Sequence, residues 1–163
     1  MASAKIEIVE IRKGDGLQVI LGHAGFIKTV EDLYEAMAES VPGVKFGLAF
    51  AEASGPCLVR SEGNDPALTR LAEKNMLRIA AGHTFIIIFK EAFPINLANA
   101  IKDVGEVARM YCATANPVEV IVASTPLGRG VLGVVDGSAS KGAEKAKDRS
   151  ERKKLLRKIG YKL

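Results

Sequence analysis

The stretch AAGHTFIIIFK places a histidine directly in front of an apolar segment. His83 follows Gly82, and Thr84 and five apolar residues, Phe85 to Phe89, come after it. An imidazole with an ordinary pKa near 6.5 is mostly neutral at pH 7, and its free nitrogen can accept a phosphoryl group. The residues alone leave two interpretations open. His83 is either a half-buried histidine that donates to a backbone carbonyl, or a reactive imidazole at the mouth of a rigid strand.

A second histidine and a lysine lie before a predicted helix, in LGHAGFIKT. His23 stands between two glycines, where a histidine is usually solvated. Lys28 and Thr29 fall at the predicted helix start, where free backbone amides and a lysine favour an anion. The alternative is a helix cap with a surface lysine beside it.

Three predicted turns carry further polar side chains. In EASGP, Glu52 and Ser54 lie at a tight turn whose backbone amides could approach a phosphate. In TANP, Asn116 could contact a base edge or cap its own turn. In GRGVLGVVDG, Arg129 could bind phosphate and Asp136 a ribose hydroxyl or Mg²⁺. This last segment lacks the P-loop lysine and precedes a strand, which excludes both the P-loop and the dinucleotide fingerprint.

The apolar pattern predicts eight strands and about four helices. KIEIVEIR and LQVILGH predict a hairpin around a glycine-rich turn. KTVEDLYEAMAES predicts a helix with Thr29 as N-cap and Asp32 at the capping-box position. A further helix should begin at Asp65 and Pro66. The mixture of hairpins and β-α-β units predicts an α+β fold with mixed or antiparallel sheet layers.

Composition bounds the class of protein. With 163 residues, 48% hydrophobic and 26% charged, the chain is expected to fold as one domain. No apolar run approaches the roughly 20 residues of a membrane span, and the N-terminal residues lack the apolar segment of a secretory signal. We therefore expect a cytoplasmic protein with no membrane partner.

The net charge of +4 is unevenly divided. Residues 137–163 hold 10 of the 23 Lys and Arg but only 3 of the 19 acids, whereas residues 1–136 hold 13 basic and 16 acidic residues. We expect a domain over residues 1–137 and a basic, helical extension over 138–163. The extension could contact nucleic acid or a membrane surface, or it could be a solvated helix with internal salt bridges.

The cysteines and histidines do not form a metal motif. Cys57 and Cys112 both occur in apolar, strand-like contexts, so we expect two buried free thiols. Neither cysteine is clustered with a histidine. A zinc site of the usual kind is therefore not expected.

Several long segments, in order, resemble one known family. They are FIKTVEDLYEAM, VKFGLAFAEASGPCLVRSEGND, AGHTFIII, FPINLANAIKDVGEVARMYCATANPVEVIVA and GRGVLGVVDG. Together they resemble the adenosine-specific kinase family, an ancient conserved domain of archaea and some bacteria, from about residue 5 to 137. The resemblance implies an α+β fold, trimers or hexamers with sites near subunit interfaces, and binding of adenosine and adenine nucleotides. It also implies a stably phosphorylated histidine, which we match to His83.

The resemblance favours the reactive interpretation of His83. We expect a phosphotransferase that acts on adenosine or AMP through phospho-His83, with Mg²⁺ accompanying a nucleotide donor. The expected substrate- and phosphate-binding residues are Lys28, Thr29, Glu52, Ser54, Asn116, Arg129 and Asp136. We assign Lys28 and Arg129 to phosphate oxygens, Glu52 or Asp136 to a metal or ribose hydroxyl, and Asn116 to the adenine edge.

Two departures and two alternatives accompany this expectation. Gly25 stands where the family carries a histidine before FIKT, and His23 could replace it from two residues away. The extension after Ser138 lies outside the segments that carry the resemblance. The alternatives are a non-catalytic adenosine or AMP sensor with a stable phosphohistidine, and a nucleic-acid-associated protein that binds through its basic tail.

Overall fold

A computed structural model describes residues 3–163. These residues form eight strands and four helices, as the apolar pattern predicts. In chain order they are β1 (Lys5–Glu10), β2 (Gln18–Ala24), α1 (Thr29–Ser40), β3 (Lys45–Ala51), β4 (Val59–Gly63), α2 (Pro66–Ile79), β5 (Thr84–Lys90), α3 (Pro94–Asp103), β6 (Val107–Thr114), β7 (Val118–Ser124), β8 (Arg129–Asp136) and α4 (Ala146–Lys158).

The strands form two antiparallel sheets, which confirms the predicted α+β class. The larger sheet has the order β4-β3-β5-β2-β6, and the smaller has the order β1-β7-β8. β5 lies at the centre of the larger sheet between β3 and β2. Its residues Phe85 to Phe89 are fully buried, because both faces of this sheet are covered.

Helices cover both faces of the larger sheet. On one face, α1 and α3 pack on Ile20, Phe46 and Phe85, among others. On the other face, α2 and the smaller sheet enclose a second core that contains Leu21, Ile86 and their neighbours. The order of layers is therefore α1 and α3, the five-stranded sheet, and then α2 with the three-stranded sheet.

The predicted β1–β2 hairpin is wrong. β1 pairs with β7, with Ile8 opposite Ile121, whereas β2 pairs with β5 and β6. The burial patterns give the reason. Every residue of β2 except the half-buried His23 is buried, as in an interior strand covered on both faces, whereas β1 has an exposed side at Ile6 and Ile8.

The start of α2 was predicted correctly, but the cap of α1 was not. Asp65 caps α2 by accepting hydrogen bonds from the amides of Ala67 and Leu68. In α1 the N-cap is Lys28, without a side-chain cap, and Thr29 is fully buried. The amide of Thr29 donates to the carbonyl of Phe26, so the preceding turn satisfies the first amides and a side-chain cap is not needed. The carboxylate of Asp32 pairs with Lys28 instead of completing a capping box.

One of the two thiols differs from its prediction. Cys112 is buried in β6, and burial together with the negative charge of Asp136 raises its pKa to about 11. Cys57 is exposed and has a left-handed backbone, with φ of 52°. It lies on the β3–β4 turn, which projects beyond the sheet, and this explains why its apolar neighbours in sequence do not bury it.

The C-terminal segment forms the predicted helix. Within α4 no residue is buried. Among residues 3–163, no helix has both the length and the apolar character required to cross a bilayer.

Close contact between β3 and α2 requires a glycine at position 47. A Cβ there would overlap the backbone of Leu68 and Thr69. Gly47→Ala should therefore lower the free energy of unfolding by about 3 kcal/mol, because backbone atoms cannot move aside. Urea unfolding of the two variants measures this. Gly105→Ala, where a Cβ meets nothing within 4 Å, is the matched control, and equal losses in both variants would contradict the packing.

Candidate functional site

The backbone of His83 is clamped between two strands. Its φ of 61° lies in the left-handed region, which is uncommon for a residue other than glycine. Its amide donates to the carbonyl of Ala51 at the end of β3, at 2.8 Å. Its carbonyl accepts from the amide of Ala24 at the end of β2, at 2.9 Å. These two bonds hold a conformation that the chain would otherwise avoid, and such residues cluster at functional sites.

The ring of His83 lies between two other aromatic rings. It is nearly parallel to Phe50, with centroids 6.0 Å apart and an interplanar angle of 19°. The ring of His23 meets it edge-on, at 5.8 Å and 77°. Both histidines are half-buried. The imidazole of His83 is thus packed against its neighbours while part of its surface stays open to solvent.

His23 lies inside the sheet and not at a loop edge. It is a residue of β2, opposite Thr84 of β5 and Arg109 of β6. Burial, followed by the nearby charges of His83 and Arg109, lowers the pKa of His23. Its imidazole is therefore neutral at pH 7 and offers one donor and one acceptor.

The β3–β4 turn packs beside His83. A Cβ at Gly82 would lie only 2.8 Å from the Cβ of Ala53, so glycine permits this approach. Glu52 braces the turn: its carboxylate accepts from the amide of Leu58 at 2.8 Å and pairs with Arg60 at 2.8 Å. These bonds lower the pKa of Glu52, and the first is the larger cause. Ser54 is exposed on the same turn.

Lys28 lies at the same end of the sheet, between two carboxylates. It pairs with Asp32 and, at 2.9 Å, with Glu106. The hydrogen bond that Lys28 donates to Asp32, followed by the one that it donates to Glu106, raises the pKa of Lys28. The cluster carries a formal charge of −1. A phosphate would therefore need Lys28 to leave at least one of these partners.

Asn116 and Asp136 lie at the opposite end of the sheet. The side-chain amide nitrogen of Asn116, in the β6–β7 turn, donates to the carboxylate of Asp136 at the end of β8, at 3.0 Å. Thr114 pairs with Val19 near the start of β2, whereas His23 is near the end of that strand. Four residues of strand span about 13 Å. Within one protomer these two side chains are thus remote from His83.

Arg129 belongs to a third location. Its guanidinium pairs with Glu7 at 2.9 Å and donates to the carbonyl of Arg78 at 3.0 Å. These contacts tie β8 to β1 and to the end of α2. Within one protomer Arg129 therefore links the smaller sheet to α2. Its contact on α2, Arg78, lies five residues before His83 in the chain.

The fold thus divides the predicted site residues among three places. His83, Glu52, Ser54, Lys28 and the buried Thr29 share one end of the larger sheet. The structure also places His23, Phe50 and Arg109 at this end, and sequence reasoning had considered only His23 of these three. The apolar residues on both sides of Gly22 carried the missing signal, since they indicate that His23 continues a strand.

Two surface pockets of the described residues lie away from His83. One pocket of about 710 Å³ is lined by Gln18, Lys90 and Phe93, and a smaller one by Tyr34 and Glu62, each with neighbouring residues. Neither is lined by His83. Over residues 3–163, no group of three or more His, Cys, Asp or Glu side chains is arranged to hold a metal ion.

The lowered pKa of His23 predicts a pH dependence of stability. The unfolded chain protonates this histidine near pH 6.5, and the folded chain only at lower pH. Stability should be complete above about pH 6.5 and decline as pH falls toward the folded-state pKa. Urea unfolding at about pH 7.5 and about pH 5.5 should show a smaller decline for His23→Gln than for the parent chain. Equal declines would show that burial of His23 does not oppose its protonation.

Comparisons with known proteins agree with this architecture. A family model described as adenosine specific kinase matches residues 9–162, a range that includes α4. The crystal structure of PH1918 protein from Pyrococcus horikoshii OT3 is 49% identical in sequence and covers 99% of both chains, with a TM-score of 0.95. No curated protein matches the chain.

Proposed function

Because the chain belongs to the adenosine-specific kinase family, we propose that it transfers a phosphoryl group to or from adenosine or AMP through phosphorylated His83. Membership of the family supports adenosine binding and kinase-like chemistry. The observation that carries the role of His83 is its clamped, left-handed backbone at the end of a buried strand. Bonds to two neighbouring strands fix the backbone of His83, and a fixed position favours a nucleophile.

The proposed reaction consists of two displacements. A neutral nitrogen of His83 attacks the phosphorus of a nucleotide donor, so that a P–N bond forms as the bond to the donor's leaving oxygen breaks. A hydroxyl of the acceptor then attacks the same phosphorus and releases its proton to water, while the P–N bond breaks and returns its electron pair to the ring nitrogen. Positioning and charge neutralisation supply most of the catalysis in such transfers.

The histidine pair suits the first displacement. Neutral His23 meets the ring of His83 edge-on and offers one hydrogen-bond donor and one acceptor beside it. The ring of Phe50 lies nearly parallel to that of His83 on another side. Lys28 is the assigned contact for phosphate oxygens at this end of the sheet, once the substrate replaces Asp32 or Glu106 as its partner.

The remaining assigned residues require a second copy. Within one protomer, Asn116 and Asp136 are about a strand length from His83, and Arg129 is already bound to Glu7 and to the carbonyl of Arg78. We propose that a trimer or hexamer brings them, from a neighbouring copy, to the base, phosphate and ribose. The protein is accordingly proposed to act as a homo-oligomer in the cytoplasm.

Mg²⁺ fits this site only as part of the nucleotide. The Glu52 carboxylate already binds Leu58 and Arg60, and Asp136 binds Asn116. Magnesium often takes one or two protein carboxylates and otherwise phosphates and water. When bound, it would neutralise the donor's phosphate charge, and the protein's own residues would orient the nucleotide.

One observation favours a second candidate, a non-catalytic adenosine or AMP sensor. The cluster of Lys28, Asp32 and Glu106 carries a negative formal charge, which opposes an incoming phosphate. A neutral nucleoside does not meet this repulsion. A sensor would bind adenosine, and a phosphate on His83 would then be a regulatory mark.

Replacement of His83 separates these candidates. The full chain incubated with a γ-labelled nucleoside triphosphate should acquire acid-labile phosphate, and His83→Ala should lose it. Steady-state formation of AMP from adenosine should fall by at least about 10³-fold in the same variant. Leu77→Ala, on the exposed side of α2, is the control and should retain both activities.

Two results would contradict the proposal. Label that persists in His83→Ala would remove His83 as the phosphorylated residue. Tight adenosine binding by the parent chain, with no product from any added phosphoryl donor, would establish the sensor in place of the enzyme. Unfolding midpoints of both variants, matched to the parent, verify that the fold is intact.

A further inference from the structure

The outer face of the three-stranded sheet is apolar and uncovered. Four large side chains on this sheet are strongly exposed: Ile6 by 65%, Ile8 by 67%, Leu132 by 60% and Val135 by 45%. Ile6 and Ile8 are two residues apart in β1 and therefore share a face. Single exposed apolar residues are ordinary, but a group of this size on one sheet marks an interaction surface.

One end of this outer face is acidic. In the β1–β7 register, Ile8 lies opposite Ile121, and two residues further on Glu10 lies opposite Glu119. Like charges directly across a strand pair destabilise a sheet unless a cation is near. The described residues give neither glutamate a salt-bridge partner. The face thus combines an apolar area with an acidic end that a basic group would stabilise.

Helix α4 has the complementary character and also lacks a partner. No residue of α4 is buried, although Leu155 and Ile159 lie one turn apart on the same side of the helix and are 55% and 52% exposed. Its ion pairs are internal, from Arg149 and Arg152 to Glu144 and from Lys147 to Glu151. A 13-residue helix is marginal in water without tertiary packing. Packing on another protein surface would therefore stabilise this helix.

We propose that α4 of one copy packs on the outer face of the three-stranded sheet of a second copy. Leu155 and Ile159 would cover Ile6 and Ile8, and basic side chains of α4 would lie beside Glu10 and Glu119. The charges fit: α4 holds seven Lys or Arg and two acids, while residues 1–136 hold 13 basic and 16 acidic residues. The contact joins two different surfaces. Each copy therefore offers one arm, which is α4, and one face, which is the outer face of its three-stranded sheet.

The second copy is favoured over the same chain as the source of α4. In the structure, the chain's own outer face and its own α4 are both exposed, although only residues 137–145 separate β8 from the helix. The inference is independent of the chemistry at His83. It names the surfaces that would join copies of the chain.

Point variants of the full chain test the contact. Sedimentation velocity should show the parent chain associated, and both Ile8→Lys on the face and Leu155→Asp with Ile159→Asp on the arm should shift it toward monomer. Ile8→Thr, which keeps a β-branched residue in the strand, should weaken association less than Ile8→Lys. Leu77→Asp places the same charge on an exposed leucine of α2 and should leave the assembly unchanged.

A mixing experiment distinguishes this contact from other pairings. The face variant keeps an intact α4, and the arm variant keeps an intact sheet face. Each variant alone should be monomeric, whereas an equimolar mixture of the two should form a heterodimer. Association of the parent chain should also weaken as salt rises from about 0.1 M to about 1 M, since the Debye length shrinks from roughly 10 Å to 3 Å.

Three outcomes would overturn the proposal. A monomeric parent chain at the concentrations used for mixing would show that the surfaces do not join. Loss of assembly in the face variant but not in the arm variant would show that the face pairs with another surface, such as a second face. Loss in both variants without recovery in the mixture would show that the sheet face and α4 do not bind each other.

Discussion

The burial of β5 on both faces is the constraint on which the rest of the structure depends. Residues Phe85 to Phe89 are fully buried, and β3 and β2 bond to the two edges of the strand. A strand held in this way cannot shift its register without exposing one core or the other. Its first neighbour, His83, is consequently fixed by carbonyl and amide groups of the flanking strands, and this fixation keeps the residue in a left-handed conformation.

Antiparallel order decides which polar residues can cooperate. One end of the larger sheet holds the carboxyl ends of β2 and β3 and the amino ends of β5 and β6. This arrangement brings together His23, Glu52, His83 and Arg109. Asn116 lies at the other end of the sheet because it follows the carboxyl end of β6. Residues close in the chain are separated by the length of a strand, and residues far apart in the chain become neighbours.

The sequence alone predicted the features that depend on local chemistry. Asp65 before Pro66 starts α2 as expected, and the buried run after His83 forms a strand. The features that depend on pairing were not predictable in this way. A strand such as β1 can pair with any partner of suitable pattern, and the choice of β7 over β2 follows from the burial of both faces of β2. The environment of His23 depends on the same pairing.

The proposed assembly would connect two features of the chain: the separation of basic α4 from the acidic sheet face, and the separation of the assigned site residues within one protomer. In the proposed mechanism, Asn116, Arg129 and Asp136 reach a substrate at His83 only from another copy, so the isolated protomer is an incomplete catalyst. The surfaces that join copies are then as necessary to the reaction as the imidazole. In the proposed contact, an apolar sheet face with an acidic end and a basic helix on the same chain would join the copies.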